Sequence, residues 1–190
     1  MTERIQEVNE EVLRGYFARL DPLVSKGTTL FIFGGGAVAL LGAKIRTTID
    51  LDVAAPYSTF SEAEFAKASE QAGLPVNPPL GYQGAYVEFV GKRMLALPPS
   101  ASSDDEEILY HGDNLTVKTG SAADLVASKL CRYDEQDSSD VQFLVRECGA
   151  RLDDVKRSLE RLPAQIRGDV IVRENLANLE ADMAIWEAQG

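Results

Sequence analysis

The stretch from Leu30 to Val53, LFIFGGGAVALLGAKIRTTIDLDV, constrains the chain more than any other. An apolar run, Leu30 to Phe33, has the length and aromatic content of a buried strand and stops at Gly34-Gly35-Gly36. Three glycines allow a tight turn and close approach of backbone to a ligand. Ala37 to Leu41 is a small-residue stretch closed by Gly42, and it reads as a short helix whose first amides face the glycine loop. Such amides favour anions. A second apolar strand follows, with Asp50-Leu51-Asp52 at its core. Residues i and i+2 of a strand project to one side, so Asp50 and Asp52 lie together, roughly 6–7 Å apart at their backbones. Two convergent carboxylates suit a hard divalent cation. A phosphate-binding loop beside them is the chemistry of metal–nucleotide binding.

Composition narrows the options. The chain has 190 residues, enough for one α/β core with a helical appendage. With 30 acidic against 19 basic residues the net charge is −11, which argues against bulk DNA binding, since phosphate neutralisation needs clustered Lys and Arg. Two cysteines outside any C-x-x-C spacing and a single histidine do not make a zinc site or a histidine-based nucleophilic triad. The N-terminal segment TERIQEVNEE has no apolar core of a signal peptide, and no apolar run approaches a membrane span. The expected location is the cytoplasm, with no membrane partner.

Around the central stretch, periodicity supplies the rest. Glu3 to Leu20 reads as an amphipathic helix with Ile5, Val8, Val12, Leu13, Phe17 and Leu20 on one stripe. Ser61 to Ala72 reads as a helix ended by Gly73, and Leu74 to Leu80, with three prolines, as a loop. Tyr82 to Val90 and Arg93 to Leu97 predict a hairpin about Gly91-Lys92, and a second hairpin is expected about residues 111–114. From Gly120 onward the pattern is helical: a capping box at Ser121 and Asp124, a helix starting at Asp137, another over Arg151 to Leu162, and a last one over Asp169 to Ala188. The spacing Gly34-x-Gly36-x-x-Ala39 also fits a dinucleotide-binding loop, but hairpins do not belong in a doubly wound parallel sheet.

The order Gly34-Gly35-x-Ala37, short helix, Gly42, Arg46-x-Thr48-x-Asp50-x-Asp52 resembles the nucleotidyltransferase fold related to DNA polymerase β. More narrowly, it is similar to the bacterial branch with abortive-infection and toxin–antitoxin nucleotidyltransferases. A second patch, Asp124-Leu125-x-x-x-Lys129-Leu130 followed by Asp137-x-x-Asp140, agrees with that branch. The resemblance implies an α+β fold: a nucleotidyltransferase-like mixed sheet with flanking helices over residues 1–119, then a helical part over 120–190. It implies Mg²⁺ (or Mn²⁺) on Asp50 and Asp52, with Glu88 as the third carboxylate, since Glu88 alternates with Tyr86 and Val90. Gly34, Gly35, Gly36, Arg46 and Thr48 would bind the nucleotide, and Lys129 and Asp140 would join Asp50 and Asp52 as catalytic residues. Partners implied are a nucleoside triphosphate, an acceptor such as tRNA, another RNA, a protein or a small alcohol, and a cognate antitoxin. A module of the same fold that binds nucleotide without turnover is the alternative. Many relatives carry Gly-Ser in the loop, where this chain has Gly36. Lys129 itself sits at the border of an apolar face, where a lysine usually snorkels and is structural; as a functional residue it would be replaceable by methionine with stability changed by no more than about 1 kcal/mol.

Overall fold

The computed structural model of the chain describes residues 6–102 and 105–188. Glu3 and Ile5 of the expected first helix, and Ser103 and Asp104 of the expected acidic loop, lie outside them. The chain divides into two compact units, Met1–Leu95 with Ser102–Thr119, and Ala96–Ala101 with Gly120–Gly190.

The first unit is a five-stranded mixed sheet with helices. Its strands are β1 (Thr28–Phe33), β2 (Asp50–Ala54), β3 (Tyr86–Val90), β4 (Glu106–His111) and β5 (Leu115–Gly120), in the order β3-β2-β1-β5-β4. β1 runs antiparallel to β2 and parallel to β5, while β2 and β3 are parallel. An antiparallel pair at the centre rules out a doubly wound dinucleotide fold, whose sheet is built from parallel βαβ units. β1 is central and carries Leu30, Phe31 and Ile32, all buried, as a strand with neighbours on both edges requires.

Helix α1 (Glu10–Leu20) is shorter than the hydrophobic stripe suggested. Asn9 caps it by accepting from the Val12 amide at 3.0 Å. Val8, read as part of the helical face, instead forms an isolated antiparallel bridge to Thr48, with N···O distances of 2.8 and 3.0 Å in the two directions. The burial is as expected, but the backbone bonds go to another segment, and that segment leads into β2. Past α1, Asp21 clamps the turn between β4 and β5. Its carboxylate accepts from the amides of Asp113, Asn114 and Leu115 at 3.1, 2.9 and 2.8 Å. Desolvation opposes ionisation there, but the three amides hold the carboxyl below its ordinary range.

The expected hairpin about Gly91-Lys92 does not form. Residues 93–97 are not a strand, and β3 pairs with β2 in parallel register, reached through α3 (Glu62–Ala72). An aromatic cluster explains the choice. Phe65 of α3 lies 5.7 Å from Phe89 of β3, and Phe60 lies 4.8 and 5.2 Å from these two rings. Burying them requires the helix to lie on the face of β3 that carries Phe89. Period-2 alternation then sends Glu88 to the opposite face.

The second unit is helical: α4 (Ala122–Lys129), α5 (Glu135–Arg146), α6 (Leu152–Leu159), α7 (Ala164–Arg167) and α8 (Val170–Ala188). Ser121 caps α4 through the Asp124 amide, as the capping box predicts. The Asp124 carboxylate does not reach back, however. It accepts from Ser158 at 2.5 Å and from both terminal nitrogens of Arg161 at 2.9 and 2.8 Å, tying α4 to α6. Arg161 also donates to the Pro98 carbonyl at 3.1 Å, which anchors the 96–101 segment in this unit. The next helix starts at Glu135, two residues before the expected Asp137, because Asp134 caps it. Among the described residues no helix is long and apolar enough to cross a membrane.

Replacing Asp21 by alanine leaves three turn amides without their acceptor. The expected loss is about 2 kcal/mol, in the range for hydrogen bonds to a charged group, read as a lower urea midpoint at unchanged slope. An unchanged midpoint would show that water replaces the clamp without loss.

Candidate active site

Two strands build the acidic site. Asp50 and Asp52 alternate on β2, and parallel register sets Asp52 opposite Glu88 and Asp50 opposite Tyr86 on β3. The three carboxylates offer oxygens that all lie within 4.8 Å of one another, and each residue is half-buried. Three like charges held so closely repel unless a cation lies between them. Tyr86 reports that field. Its phenol is pushed above its ordinary range first by desolvation and then by the charges of Asp50, Glu88 and Asp52. Oxygen-only donors at this spacing fit a hard divalent ion, so the trio can hold one.

Neighbouring segments fix the acids in place. Thr48, pinned by its bridge to Val8, donates from Oγ1 to Asp50 Oδ1 at 2.7 Å. The glycines act differently from the expected loop. Gly34, Gly35 and Gly36 are the first turn of α2 (Gly34–Leu40), and the last two are buried. Each makes room for a different side chain from the residues leading into and through β2. Gly34 has a φ of +66°, and a Cβ there would overlap the Asp52 carboxylate. A Cβ on Gly35 would lie 2.9 Å from Arg46 Cζ and 3.3 Å from Thr48 Cβ. On Gly36 it would lie 2.8 Å from Leu51 Cδ1. The close approach is therefore between the helix and β2, and the glycines seat Asp52, Arg46 and Thr48 around the first turn.

Lys129 and Asp140 belong to the second unit. Lys129 ends α4, and its Nζ lies 3.0 Å from Asp137 Oδ1 and 2.6 Å from Asp140 Oδ2. All three side chains are buried. Asp137 and Asp140 are one helical turn apart on α5, so both carboxylates face the same ammonium. Arg132 completes the cluster, donating to Asp137 at 2.9 and 3.1 Å. Burial would raise the Asp137 carboxyl, but the Arg132 hydrogen bonds and the Lys129 charge outweigh it and hold the group below its ordinary range. This corrects the picture of Lys129 as a border side chain removable at little cost. Asp137, present in the second patch without a role of its own, and Arg132 are structural partners in the cluster with Lys129 and Asp140. The signal available was the i, i+3 pairing of Asp137 with Asp140.

A family model described as "Nucleotidyltransferase of unknown function (DUF6036)" matches residues 3–148. The chain belongs to this family. No curated protein and no solved structure matches it. Membership supports nucleotidyl transfer as the general chemistry and a nucleoside triphosphate as the substrate class, and the matched segment contains the acidic trio as well as Lys129 and Asp140. The mixed sheet with flanking helices agrees with a nucleotidyltransferase-like fold.

Three outcomes test this geometry. Gly34→Ala forces a side chain into the left-handed region against Asp52, so stability should fall by about 1–3 kcal/mol in denaturant titration. Lys129→Met leaves Asp137 and Asp140 buried without their ammonium and should cost about 3–5 kcal/mol. A loss under about 1 kcal/mol would mean that the cluster admits water. Because the folded-state Asp137 carboxyl is held low, its contribution is complete above the ordinary aspartate range and disappears as pH falls through the depressed value. The stability gap between parent and Asp137→Asn should therefore be constant near neutral pH and close as pH drops below about 4.

Proposed function

We propose that the protein is a Mg²⁺-dependent nucleotidyltransferase that moves a nucleotidyl group from a nucleoside triphosphate to a hydroxyl-bearing acceptor. The observation that carries this reading is the convergence of Asp50, Asp52 and Glu88 from two adjacent strands in a chain of this family. Asp50, Asp52 and Glu88 would hold the ion. Bound there, Mg²⁺ would supply positive charge against the triphosphate and the departing pyrophosphate.

The chain's own residues supply the placement. Thr48 orients the Asp50 carboxylate through its 2.7 Å hydrogen bond. Gly34, with no side chain, lets Asp52 sit against the first turn of α2, and Arg46 over Gly35 adds a guanidinium for phosphate oxygens. The backbone of Gly34 to Gly36 is the proposed phosphate contact, with Gly34 its partly exposed member. In the second unit, Asp140 orients Lys129 by direct contact at 2.6 Å, and we assign that pair a catalytic role. Acceptors consistent with the chemistry are tRNA or another RNA, a protein side chain, or a small alcohol. The acidic surface, with a net charge of −11, disfavours bulk DNA. The toxin–antitoxin branch supplies the proposed setting, with a cognate antitoxin as partner and the cytoplasm as location.

One observation favours the second reading, a nucleotide-binding module without turnover. Where many nucleotidyltransferases place a serine, this chain has Gly36, with no hydroxyl for a phosphate, and a Cβ there would lie 2.8 Å from Leu51 Cδ1, so that side chain would have to shift to admit one. Label transfer separates the two readings.

With Mg²⁺, a nucleoside triphosphate at a hundredfold over its dissociation constant should stabilise the protein by about 2.7 kcal/mol, visible as a higher melting temperature. Asp50→Asn with Asp52→Asn should abolish that shift. Incubation with labelled triphosphate and total RNA, protein or metabolites should label one acceptor class in the parent only. Binding without labelling selects the module, and an equal shift in parent and double variant rejects the metal site.

A further inference from the structure

Beside the acidic trio, β3 forms one wall of a cleft of about 460 Å³. Its other wall is the 77–82 loop, and Tyr82, Tyr86 and Glu88 all line it. The loop is held to the sheet at several points. The Asn77 amide donates to the Val87 carbonyl at 2.9 Å, Asn77 Oδ1 accepts from the Phe89 amide at 2.8 Å, and the Val87 amide donates to the Pro75 carbonyl at 2.9 Å. Pro78 and Pro79 restrict the backbone between these anchors and Tyr82, whose amide donates to the Pro79 carbonyl at 3.1 Å. The cleft wall is thus formed before any ligand arrives. Tyr82 and Tyr86 stand edge to face, with centroids 6.5 Å apart and an interplanar angle of 90°. At the rim, Leu80 is fully exposed at 108%.

The lining has no lysine or arginine among the described residues, and its one charged side chain is Glu88. Phosphate groups are therefore disfavoured inside it. Aromatic faces, proline rings and a leucine suit a flat, neutral heterocycle instead. Glu88 belongs both to this cleft and to the acidic trio. A ligand with a polyphosphate at the metal and a planar group attached to it matches the two neighbouring environments.

We propose that this cleft is the nucleobase subsite, and that Tyr82 is a binding residue that stacks on the base of the incoming triphosphate. The proposal rests on the nucleotidyltransferase reading and adds to it where the base goes. The grip is an aromatic face, which every base can use, so affinity comes from stacking and the carboxylates handle the phosphates.

The test is calorimetric titration, in Mg²⁺, of the full chain and its Tyr82→Ala and Tyr82→Phe variants with the four nucleoside triphosphates and with inorganic tripolyphosphate. Tyr82→Ala should weaken each nucleotide by about tenfold or more, as loss of one stacked ring does, while tripolyphosphate binding stays within about twofold. Tyr82→Phe keeps the ring and should keep nucleotide affinity within about threefold. The subsite is overturned by Tyr82→Ala that binds nucleotides like the parent, by equal losses for nucleotides and tripolyphosphate, or by a parent that binds tripolyphosphate as tightly as nucleotides. A parent that binds neither probe overturns the nucleotidyltransferase reading itself, which is a separate result.

Discussion

Parallel pairing of β2 with β3 holds three carboxylates within 4.8 Å of one another, and much of the first unit serves that unfavourable arrangement. Like charges at this range repel by several kcal/mol in a partly buried setting, so the register must be maintained by interactions elsewhere. The Phe60, Phe65 and Phe89 cluster does this from one face by fixing α3 on β3. From the other side, the Val8–Thr48 bridge and the Thr48–Asp50 hydrogen bond hold the entry to β2, and the glycines of α2 let its first turn approach that strand. Each is a local favourable term that offsets electrostatic strain at a site that could hold a cation.

The second unit solves its charge problem differently. Lys129, Asp137 and Asp140 are buried together, and each carboxylate contacts the ammonium directly. A buried ion cluster contributes little net stability compared with well-packed apolar groups, yet breaking it by removing one member is strongly destabilising. It therefore acts as a specificity lock between the end of α4 and the first two turns of α5, and it couples any functional use of Lys129 to the integrity of the unit. Asp124 with Ser158 and Arg161 does the same between α4 and α6. Acidic residues that composition reads as surface charge are here joints between helices.

Several elements were legible because their signal is local. The strand at Leu30 to Phe33, the D-x-D strand, the helix ended by Gly73 and the capped helix after Ser121 follow from apolar runs, alternation and capping. The hairpin expected about Gly91-Lys92 failed because two extended segments flanking a turn do not state which strand each will pair with. Aromatic burial between α3 and β3 decided it. The first helix begins at Glu10, beyond Val8, for the same reason, since Val8 serves a strand-like bridge that the helical stripe could not exclude.

By itself, the sequence determined that Asp50 and Asp52 share a side, because strand periodicity is covalent geometry and needs no partner. It also determined that the backbone of Gly34 to Gly36 is bare, open to close approach by another group. Only the tertiary structure decided that Glu88 joins the two aspartates, because its place depends on the β2–β3 register, which is set by distant aromatic contacts. It alone decided that the glycines accommodate Asp52, Arg46 and Leu51 within a helical turn, and that Lys129 lies between two buried aspartates. Such facts depend on which segments meet. Meeting is governed by burial summed over the whole chain, and no window of neighbouring residues contains that sum.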